Sequence, residues 1–584
     1  MTGTRVADAE EGADDEARRE RRRRARIVRV VVWSARIVGL LSILSILAPA
    51  ARRRLEPAAW FGLPVEATLV GTVVLATAGV GLMLLATGLR RRKRRAWQLA
   101  VALCVVIVAS HVLGRHPIPP LVVAVILLVG LLWTRREFDA LPDPVGRLVA
   151  LRVVLQLVVA GFVIVSAMLL FVRSNFLLGR PSVGEKLLHA LLSLVGVDGP
   201  VEFRFAWYDD LTSAVGLTFG IGALVLGGYF LLRSAEPRPE LTPDEVTGIR
   251  TLLERHGKAD SLGYFALRRD KSVVFSESRK AAVAYRVVAG VALASGDPLG
   301  DVEAWPGAIE EFVAVCRRHG WLPAVLGCSE TGARVWSREA GLDALELGDE
   351  AVVDVATFSL QGRAMRTVRQ AVSRIKRAGY ETTVRRLRDV PDDELGRLAA
   401  CVERWRGGPD ERGFSMALSR VADAEADPEA VVVVAEADGA PRGLLQFVPW
   451  GTEGLSLDLM IRDPAVTENG LNELLITDLL AACRGLGVDR VSLNFAVFRS
   501  ALERGERIGA GPVARLWARL LRIASRWWQI ETLYRFNARF GPEWVPRFLV
   551  FDGVRDLPRI AVAAFEAEGY GGRPPALLRL VRRS

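Results

Sequence analysis

The sequence has few of the side chains from which metal sites and nucleophilic triads are usually built. It holds five cysteines, none in a C-x-x-C pair, and five histidines, of which only His256 and His319 lie beyond residue 235. An odd, scattered set of cysteines argues against a disulfide framework and a zinc site, and indicates a reducing compartment. So few histidines leave little material for a Ser-His-Asp triad or a multi-histidine metal centre. We therefore expect no metal.

Acidic residues are outnumbered by basic ones, and the apolar residues are unevenly spread. The chain has 77 Lys and Arg against 66 Asp and Glu, a formal net charge of +11. This excess suggests an anionic partner, either nucleic acid or acidic lipid. At 584 residues the chain is too long for one domain. Because its apolar residues are concentrated before about residue 235, we expect two regions of different character.

The first region has the pattern of a multi-pass membrane domain. Residues 1–26 are charged and poor in aromatics, which predicts a disordered basic tail. Six apolar segments within residues 27–233 each approach the ~20 residues that cross a bilayer. Basic runs, including "RRRKRR" at Arg90–Arg95, orient them with both termini in the cytoplasm. The segments are Val30–Ala48, Ala67–Leu89, Ala96–Leu113, Ile118–Trp133, Leu148–Val172 and Leu211–Leu232.

The second region follows a linker rich in proline and charge at residues 234–245. Thr242, Pro243 and Glu245 form a capping-box start for a helix. Strand-like and helix-like stretches then alternate, which predicts an α/β region with a mixed sheet. The stretch "VVVVAEADGAPRGLLQFVPW" is typical of a hairpin that turns at Asp438 and Gly439. About 345 residues suffice for two such domains, and we expect them at residues 246–390 and 391–584.

Two amphipathic basic stretches have different predicted partners. The helix "GRAMRTVRQAVSRIKRAGY" could present either a solvated face or a surface for RNA phosphates, and the absence of acidic residues within it favours the RNA surface. Its arginines are Arg363, Arg366, Arg369, Arg374 and Arg377. The helix "ARLWARLLRIASRWWQ" has an arginine stripe and an apolar arc, typical of a core-packing helix or of one lying on a membrane. Its candidate lipid-facing residues are Arg515, Arg519, Arg522, Arg526, Trp527 and Trp528.

Candidate chemistry lies in the strand "LDLMIRD" and the loop "RWRGGPDERGFSM". Simple strand alternation puts Asp458, Met460 and Arg462 on one face, where an aspartate and an arginine suggest either a functional site or a structural ion pair. Glu411 precedes an apolar pair in the glycine-rich loop. After the strand, "RDPAVTENGLNE" lacks the R/Q-x-x-G-x-G/A loop of a Gcn5-type acetyltransferase, so acetyl-CoA is not expected as the donor.

From about Asp270 to Phe551 the chain resembles the phosphatidylglycerol lysyltransferase (multiple peptide resistance factor) family. The matching stretches include "YRVVAGVALASGDPLGD", "WRGGPDERGFSMALSR", "NGLNELLI", "VSLNFAVFRSALERGE" and "YRFNARFGPEWVPRF". The resemblance is to the actinobacterial branch, in which this module is fused to a lysyl-tRNA synthetase. It implies tandem acetyltransferase-like (GNAT) folds that face the inner leaflet. Such enzymes transfer an aminoacyl group from aminoacyl-tRNA to phosphatidylglycerol without a cofactor, which changes membrane charge and resistance to cationic peptides.

The resemblance also implies roles for particular residues. Asp458 matches the aspartate of the family's strand motif, whereas Ile461 stands where the family has arginine and Arg462 follows it. Asp458 or Glu411 would bind the ammonium of the amino acid or act as base, and Arg462 would stabilise phosphate or oxyanion. The positions matched to substrate binding are Phe414, Ser415, Asn472, Glu473, Asn494, Arg499 and Asn537.

Several alternatives remain open from the sequence. A close variant of the first hypothesis uses another amino acid, such as alanine, or another acceptor, such as diacylglycerol. Ile461 motivates a second hypothesis, a membrane-anchored homologue that has lost transferase activity. A transporter is disfavoured because the spans carry few polar residues. Because the sequence ends at Ser584, we expect a separate synthetase to supply the charged tRNA; the oligomeric state is not readable.

Overall fold

A computed structural model of the chain describes most of the region beyond residue 92. The described residues are 26–27, 29–41, ten positions between 78 and 90, 92–114, 118–138, 144–172, 174–232, 240–406, 413–418, 420–497 and 530–569. The chain divides into two compact units at residues 235 and 236, with Arg317–Trp321 grouped with the first unit.

The described part of the first unit is helical. Its helices are α1 (Arg94–Gly114), α2 (Ile118–Trp133), α3 (Pro144–Phe171), α4 (Val183–Ser193) and α5 (Ala206–Leu232). Two stretches, Leu148–Phe171 and Ala206–Leu231, are long and apolar enough to cross a membrane. Helices are therefore found at four of the six predicted segments over most of their length, and residues 29–41, which include most of the segment Val30–Ala48, are also helical. Most of the segment Ala67–Leu89 lies outside the described residues, so the six-span domain stays a prediction.

The second unit is built on one continuous mixed sheet. Its helices are α6 (Pro243–His256), α7 (Trp305–His319), α8 (Glu330–Ala340), α9 (Arg366–Arg377), α10 (Asp392–Arg406), α11 (Leu471–Leu486), α12 (Ile530–Asn537) and α13 (Leu557–Ala567). Its strands are β1 (Ser272–Phe275), β2 (Ala281–Val288), β3 (Val291–Ser295), β4 (Leu299–Gly300), β5 (Leu322–Cys328), β6 (Asp343–Asp354), β7 (Glu381–Arg386), β8 (Val431–Ala437), β9 (Ala440–Trp450), β10 (Gly454–Arg462), β11 (Arg490–Val497) and β12 (Glu543–Phe551).

Several local predictions are confirmed by these elements. Helix α6 begins with the predicted capping box, in which Thr242 and Glu245 each bond the other's backbone. The β8–β9 hairpin turns at Asp438 and Gly439, which both have positive φ angles, as its Asp-Gly sequence predicts. The predicted mixed α/β sheet is also confirmed, since β3 pairs in parallel with β5, β10 with β11, and the remaining ladders are antiparallel.

The sheet contains an exchange of strands between its two halves. The order along the sheet is β1-β2-β3-β5-β12-β6-β11-β10-β9-β8-β7. Strand β12, late in the chain, lies between β5 and β6, while β6, from the earlier part of the chain, pairs with β11. Each half of the sheet therefore includes a strand supplied by the other part of the sequence. The predicted domain boundary at residues 390 and 391 stays a prediction; the strand just before it, β7, pairs with β8.

Helices cover both faces of the later half of the sheet. On one face, α9 and α11 bury Val368, Ile375 and Leu474 against β8, β9 and β10. On the other face, α10 buries Leu398 and Val402 against alternate residues of the same strands. These two apolar layers fix which way each side chain of β10 points, and so define the surroundings of Asp458.

Candidate active site

Strand β10 carries a β-bulge at Asp458. Leu457 pairs with Phe447 and Leu459 with Gln446, so Asp458 is the extra residue without a partner across the ladder. Beyond the bulge, Leu459 and Ile461 pack on the α10 face, whereas Met460 packs on the face of α9 and α11. A bulge places two successive side chains on one side of a strand and reverses the alternation that follows.

This bulge overturns the prediction that Asp458, Met460 and Arg462 share a face. Asp458 lies on the α10 face, because its carboxylate bonds to the side chain of Gln446 in β9. Gln446 points to the same face as Leu444, two residues earlier in that strand, and Leu444 packs in the α10 layer. Arg462 follows Met460 on the opposite face and is exposed. Ile461, at the position matched to the family's arginine, shares the face of Asp458, as does Leu459.

The carboxylate of Asp458 accepts two hydrogen bonds inside the protein. Leu418 N donates to Oδ1 at 2.7 Å, and Gln446 Nε2 donates to Oδ2 at 2.6 Å. Burial raises the pKa of Asp458 to about 6; the hydrogen bonds from Leu418 and Gln446 and the charge of Arg420 act in the opposite direction, while Asp427 adds to the rise. A carboxyl group with such a pKa exchanges protons near neutral pH, as a general base must.

A buried polar network supports Gln446. The side chain of Gln446 accepts a hydrogen bond from Ala422 N at 2.9 Å and donates to Arg420 O at 3.1 Å. The guanidinium of Arg420 is paired with Asp427, with Nε 2.5 Å from Oδ2 and Nη2 2.8 Å from Oδ1. Tyr264 Oη donates to the same carboxylate at 3.0 Å. These contacts hold Gln446 in one orientation, and the sequence analysis identified none of them.

The loop that supplies Leu418 N is fixed by buried groups. Arg268 is 2% exposed and donates from Nη1 to Gly413 O and to Ala417 O, the latter at 2.9 Å. Phe414 is fully buried, and Lys271 Nζ lies 4.6 Å from the centre of its ring. Ser415 is also buried. Phe414 and Ser415 thus anchor the loop in the core, and their predicted contact with substrate stays a prediction.

Strands β10 and β11 separate directly beside the bulge. Their ladder runs only from Gly454 with Arg490 to Ser456 with Ser492. Just beyond it Asn494, with a φ of 66°, donates from Nδ2 to Leu457 O at 2.6 Å across the opening. Buried Asn494 Oδ1 has no hydrogen-bond partner among the described residues. The gap is therefore an opening in the sheet next to Asp458.

The other residues matched to substrate binding lie around β11 and α11. Asn537 is buried and donates from Nδ2 to Leu493 O at 3.4 Å, which supports the strand beside Asn494. Glu473 is mostly buried and accepts from Arg539 Nη1 at 2.6 Å. Asn472 has a buried Oδ1 without a partner in the described part of the chain. Their substrate contacts remain predictions.

The basic helix is only partly free to bind a partner. Helix α9 buries Val368, Ala371, Val372 and Ile375. Arg369 is half-buried and donates to the carbonyls of Leu360 and Gly362, so it holds the preceding loop. The exposed members of the predicted set, none with a carboxylate partner among the described residues, are Arg363, Arg366, Arg374 and Arg377.

The remaining predicted site residues lie outside the described part of the chain. They are Glu411, Arg499, Arg515, Arg519, Arg522, Arg526, Trp527 and Trp528. Among the residues that are described, no group of three or more histidine, cysteine, aspartate or glutamate side chains could hold a metal ion.

A second buried polar cluster joins the exchanged strands. Arg547 of β12 is 3% exposed and donates from Nε to Glu350 Oε2 at 2.8 Å and from Nη1 to Asp260 Oδ1 at 2.7 Å. Asp260 in turn accepts from Asp297 N at 2.8 Å. Burial, and then the charge of Asp260, raise the pKa of Asp297 to about 7. Asp297 belongs to "SGDPLGD" and also accepts from the backbone and hydroxyl of Ser329, the N-cap of α8.

The chain is similar to known proteins over most of its length. A family model described as phosphatidylglycerol lysyltransferase, C-terminal, matches residues 250–551. The lysylphosphatidylglycerol biosynthesis bifunctional protein LysX of Mycobacterium avium is 41% identical over 564 residues, which cover 92% of this chain and 46% of that protein. The protein of that name from Rhodococcus opacus is 42% identical over 83% of this chain and 44% of its own length. The chain thus spans about half the length of the curated relatives it matches.

Two solved structures were also similar. L-PGS from Bacillus licheniformis aligns with a TM-score of 0.49 and 20% identity, covering 58% of this chain and 99% of that one. The C-terminal domain of a putative lysylphosphatidylglycerol synthetase from Agrobacterium fabrum aligns with a TM-score of 0.47 and 24% identity, covering 56% and 98%.

Proposed function

The chain belongs to the phosphatidylglycerol lysyltransferase family, and on that premise we propose that it transfers a lysyl group from lysyl-tRNA to phosphatidylglycerol. The product would carry a lysyl ammonium and α-ammonium on an anionic lipid. Such a lipid makes the membrane surface less negative and weakens its attraction for cationic peptides. We further propose that the second unit, which begins at residue 236 and is called the catalytic unit below, has two acetyltransferase-like folds and works at the inner leaflet.

The observation that carries the proposal is the environment of Asp458. The aspartate lies on a bulge beside the opening between β10 and β11, in an otherwise apolar strand. Its carboxylate is oriented by Leu418 N and Gln446 Nε2, and its pKa is raised to about 6 by burial. A positioned base with this pKa is deprotonated at neutral pH and still able to take up a proton during reaction.

The proposed reaction exchanges one ester for another. Asp458 accepts the proton of a glycerol hydroxyl as that oxygen attacks the aminoacyl carbonyl carbon. The new carbon–oxygen bond to glycerol forms, the bond to the tRNA ribose oxygen breaks, and the proton passes from Asp458 to that leaving oxygen. Because the donor is already an activated ester, alignment of the two substrates and one proton transfer supply the chemistry. Asn494 Oδ1, beside the opening, is an acceptor for the ammonium of the donor.

The anionic parts of both substrates would meet separate basic groups. We propose that the exposed arginines of α9 hold the tRNA acceptor end through its phosphates. Arg462 lies on the sheet face against which α9 packs, which favours a phosphate contact for it over the oxyanion role. Glu411 and Arg499 are proposed to complete the aminoacyl pocket. The helix predicted from the sequence around Trp527 and Trp528 is proposed to lie on the inner leaflet and attract phosphatidylglycerol.

Membrane attachment and donor supply complete the proposal. Helices α3 and α5 are apolar enough to cross a bilayer, and we propose that they belong to a six-span domain with both termini in the cytoplasm. That placement lets the catalytic unit meet tRNA. A lysyl-tRNA synthetase would supply the charged tRNA.

The test is lipid analysis of cells that express the full chain. We expect a new ninhydrin-positive lipid that contains lysine, and its loss in Asp458→Asn with a melting temperature like that of the wild type. Asp438→Asn, in the exposed β8–β9 turn, is the matched control and should keep full activity. Normal product from Asp458→Asn would refute the assigned base, and no product from the wild type would favour a homologue without transferase activity.

The pH dependence gives a second readout on the purified protein. The pKa of Asp458 is raised to about 6 by burial, so kcat/KM should fall about tenfold per pH unit below pH 6, as the base becomes protonated. A flat profile between pH 5 and pH 7 would contradict the role of Asp458 as base.

A further inference from the structure

A glutamate near the end of the described chain forms hydrogen bonds to the loop 413–418, which contacts Asp458. Glu568 follows α13 and lies beyond the residues matched by the family model. Its carboxylate accepts from Phe414 N at 2.7 Å, Ser415 N at 3.1 Å and Ser415 Oγ at 2.7 Å. Its backbone oxygen accepts from Gly413 N at 3.1 Å. Four hydrogen bonds thus join one residue to three successive positions of the loop.

The loop is held from two sides by groups of opposite charge. Glu568 accepts hydrogen bonds from the backbone N–H groups of the first three residues of the loop. Buried Arg268 donates to the carbonyls of Gly413 and Ala417. The next residue, Leu418, donates its N–H to Asp458 Oδ1 at 2.7 Å. A carboxylate and a guanidinium each satisfy several buried backbone groups, so removal of either would leave unpaired groups in the core. The position of Leu418 N therefore depends on anchors that do not touch Asp458.

We propose that Glu568 is a positioning residue for Asp458, which acts by fixing the loop 413–418 so that Leu418 N stays on the carboxylate. The role of Asp458 as base rests on the function proposed above, but the positioning itself does not. Charged to neutral changes at Glu568 would loosen the loop and move Leu418 N away. The hydrogen bond from Leu418 stabilises the charged form of Asp458, so its loss makes the carboxyl harder to ionise.

Other charged groups lie near Asp458 and Glu568, and the variants must leave those groups unchanged. Asp427 and Arg420 act on Asp458 electrostatically, in opposite directions. Lys271, below the loop, interacts with Glu568, Arg268, Asp270 and Arg286. A glutamine at 568 keeps an oxygen acceptor for part of the loop but removes the charge, whereas alanine removes the acceptor as well. Glu566 of the same helix is exposed and offers a matched control.

The experiment compares Glu568→Ala, Glu568→Gln and Glu566→Ala in the full chain in detergent micelles. Hydrogen exchange of the peptide that contains residues 413–418 is measured first. We expect Glu568→Ala to exchange at least tenfold faster than the wild type, Glu568→Gln to fall between them, and Glu566→Ala to match the wild type. Melting temperatures report whether each variant is folded. Unchanged exchange in a folded Glu568→Ala variant would overturn the proposal.

Kinetics with lysyl-tRNA and phosphatidylglycerol then test the link to catalysis. We expect Glu568→Ala to lower kcat by about 10- to 100-fold, a partial loss of the roughly 10²- to 10⁴-fold that a positioned general base contributes, with little change in either KM. The acidic limb of the pH profile of kcat/KM should move to higher pH by about half to one unit in Glu568→Ala, because Asp458 becomes harder to ionise. Glu568→Gln should restore part of both effects. An unshifted limb, or an equal loss in Glu566→Ala, would reject the positioning role. If the wild type makes no aminoacyl lipid, the proposed function fails while the exchange result still decides the positioning.

Discussion

Replacement of Arg547 by methionine should strongly destabilise the catalytic unit. The guanidinium is 3% exposed and is shared by Glu350, itself 1% exposed, and by Asp260. Methionine has a similar reach but no charge, so both carboxylates would remain buried without their cation. Loss of one partner of a buried ion pair costs about 3–5 kcal/mol. For a unit of this size that corresponds to a fall of roughly 4–7 °C in melting temperature.

The loss should depend on pH in a defined direction. Without Arg547, the folded-state pKa of the orphaned carboxyl groups rises above its unfolded value. The folded state then binds more protons than the unfolded state, so stability increases as pH falls. The variant should therefore lose less stability at pH 5 than at pH 8, relative to the wild type at each pH.

The assay is thermal unfolding of the full chain in detergent, followed by tryptophan fluorescence and circular dichroism at both pH values. Arg555→Met, at an exposed position on the same stretch of chain, is the control and should change stability by less than about 0.5 kcal/mol. The double variant Arg547→Met with Glu350→Gln should regain part of the loss, because it removes one buried charge. A melting temperature of Arg547→Met within about 1 °C of the wild type, which is the size of effect expected for a surface change, would refute the reasoning. No recovery of stability in the double variant would refute it as well.

Three further outcomes can be measured on the same preparation. Burial lowers the pKa of Lys271 to about 7, so between pH 7 and pH 10 the folded state binds fewer protons than the unfolded state. The stability of the wild type relative to Lys271→Met should therefore fall by about 1.4 kcal/mol per pH unit as the pH drops from 10 to 7. A stability difference between the two proteins that does not depend on pH would contradict the assignment. In Gly332→Ala the new Cβ would clash with the buried carboxylate of Asp297, beside the N-terminus of α8, which should cost about 1–3 kcal/mol. Gly396→Ala places its Cβ in open space and should stabilise α10 slightly. Equal effects of the two changes in thermal melts would reject the clash. Serine at Trp527 and Trp528 should raise the KM for phosphatidylglycerol more than that for lysyl-tRNA, and a parallel loss of both, or unfolding, would indicate a core helix.

Local signals in the sequence were sufficient for the elements but not for the strand exchange. The Asp-Gly turn of the β8–β9 hairpin and the capping box of α6 act within a few residues, and both are found as predicted. The placement of β12 between β5 and β6 depends on pairing across about half the unit. Such pairing has no short-range signature, since any apolar strand satisfies the same hydrogen-bonding edge.

The candidate site shows the same limit at finer scale. The motif match identified Asp458, and its environment agrees with a chemical role. Strict alternation then grouped it with Arg462, which was wrong because the bulge inserts one residue into β10. Bulges that carry no glycine leave little trace in the residue pattern. Gln446, Arg268 and Glu568 were missed for another reason: each acts on a backbone group far away in the sequence, so spacing contains no information about the contact.

The exchanged strands also determine when the catalytic unit can be completed during synthesis. The ribosome produces β5 and β6 early, yet the gap between them is filled by β12, which begins at Glu543. Until residues 355–542 have been made, β5 and β6 each have an open edge, and the carboxylates that receive Arg547 have no cation. The nascent chain must therefore keep exposed strand edges from pairing with other chains for most of its translation. Truncation before Glu543 would leave β5 and β6 without the strand that joins them, and the synthesis of β12 sets the moment at which the complete sheet first exists.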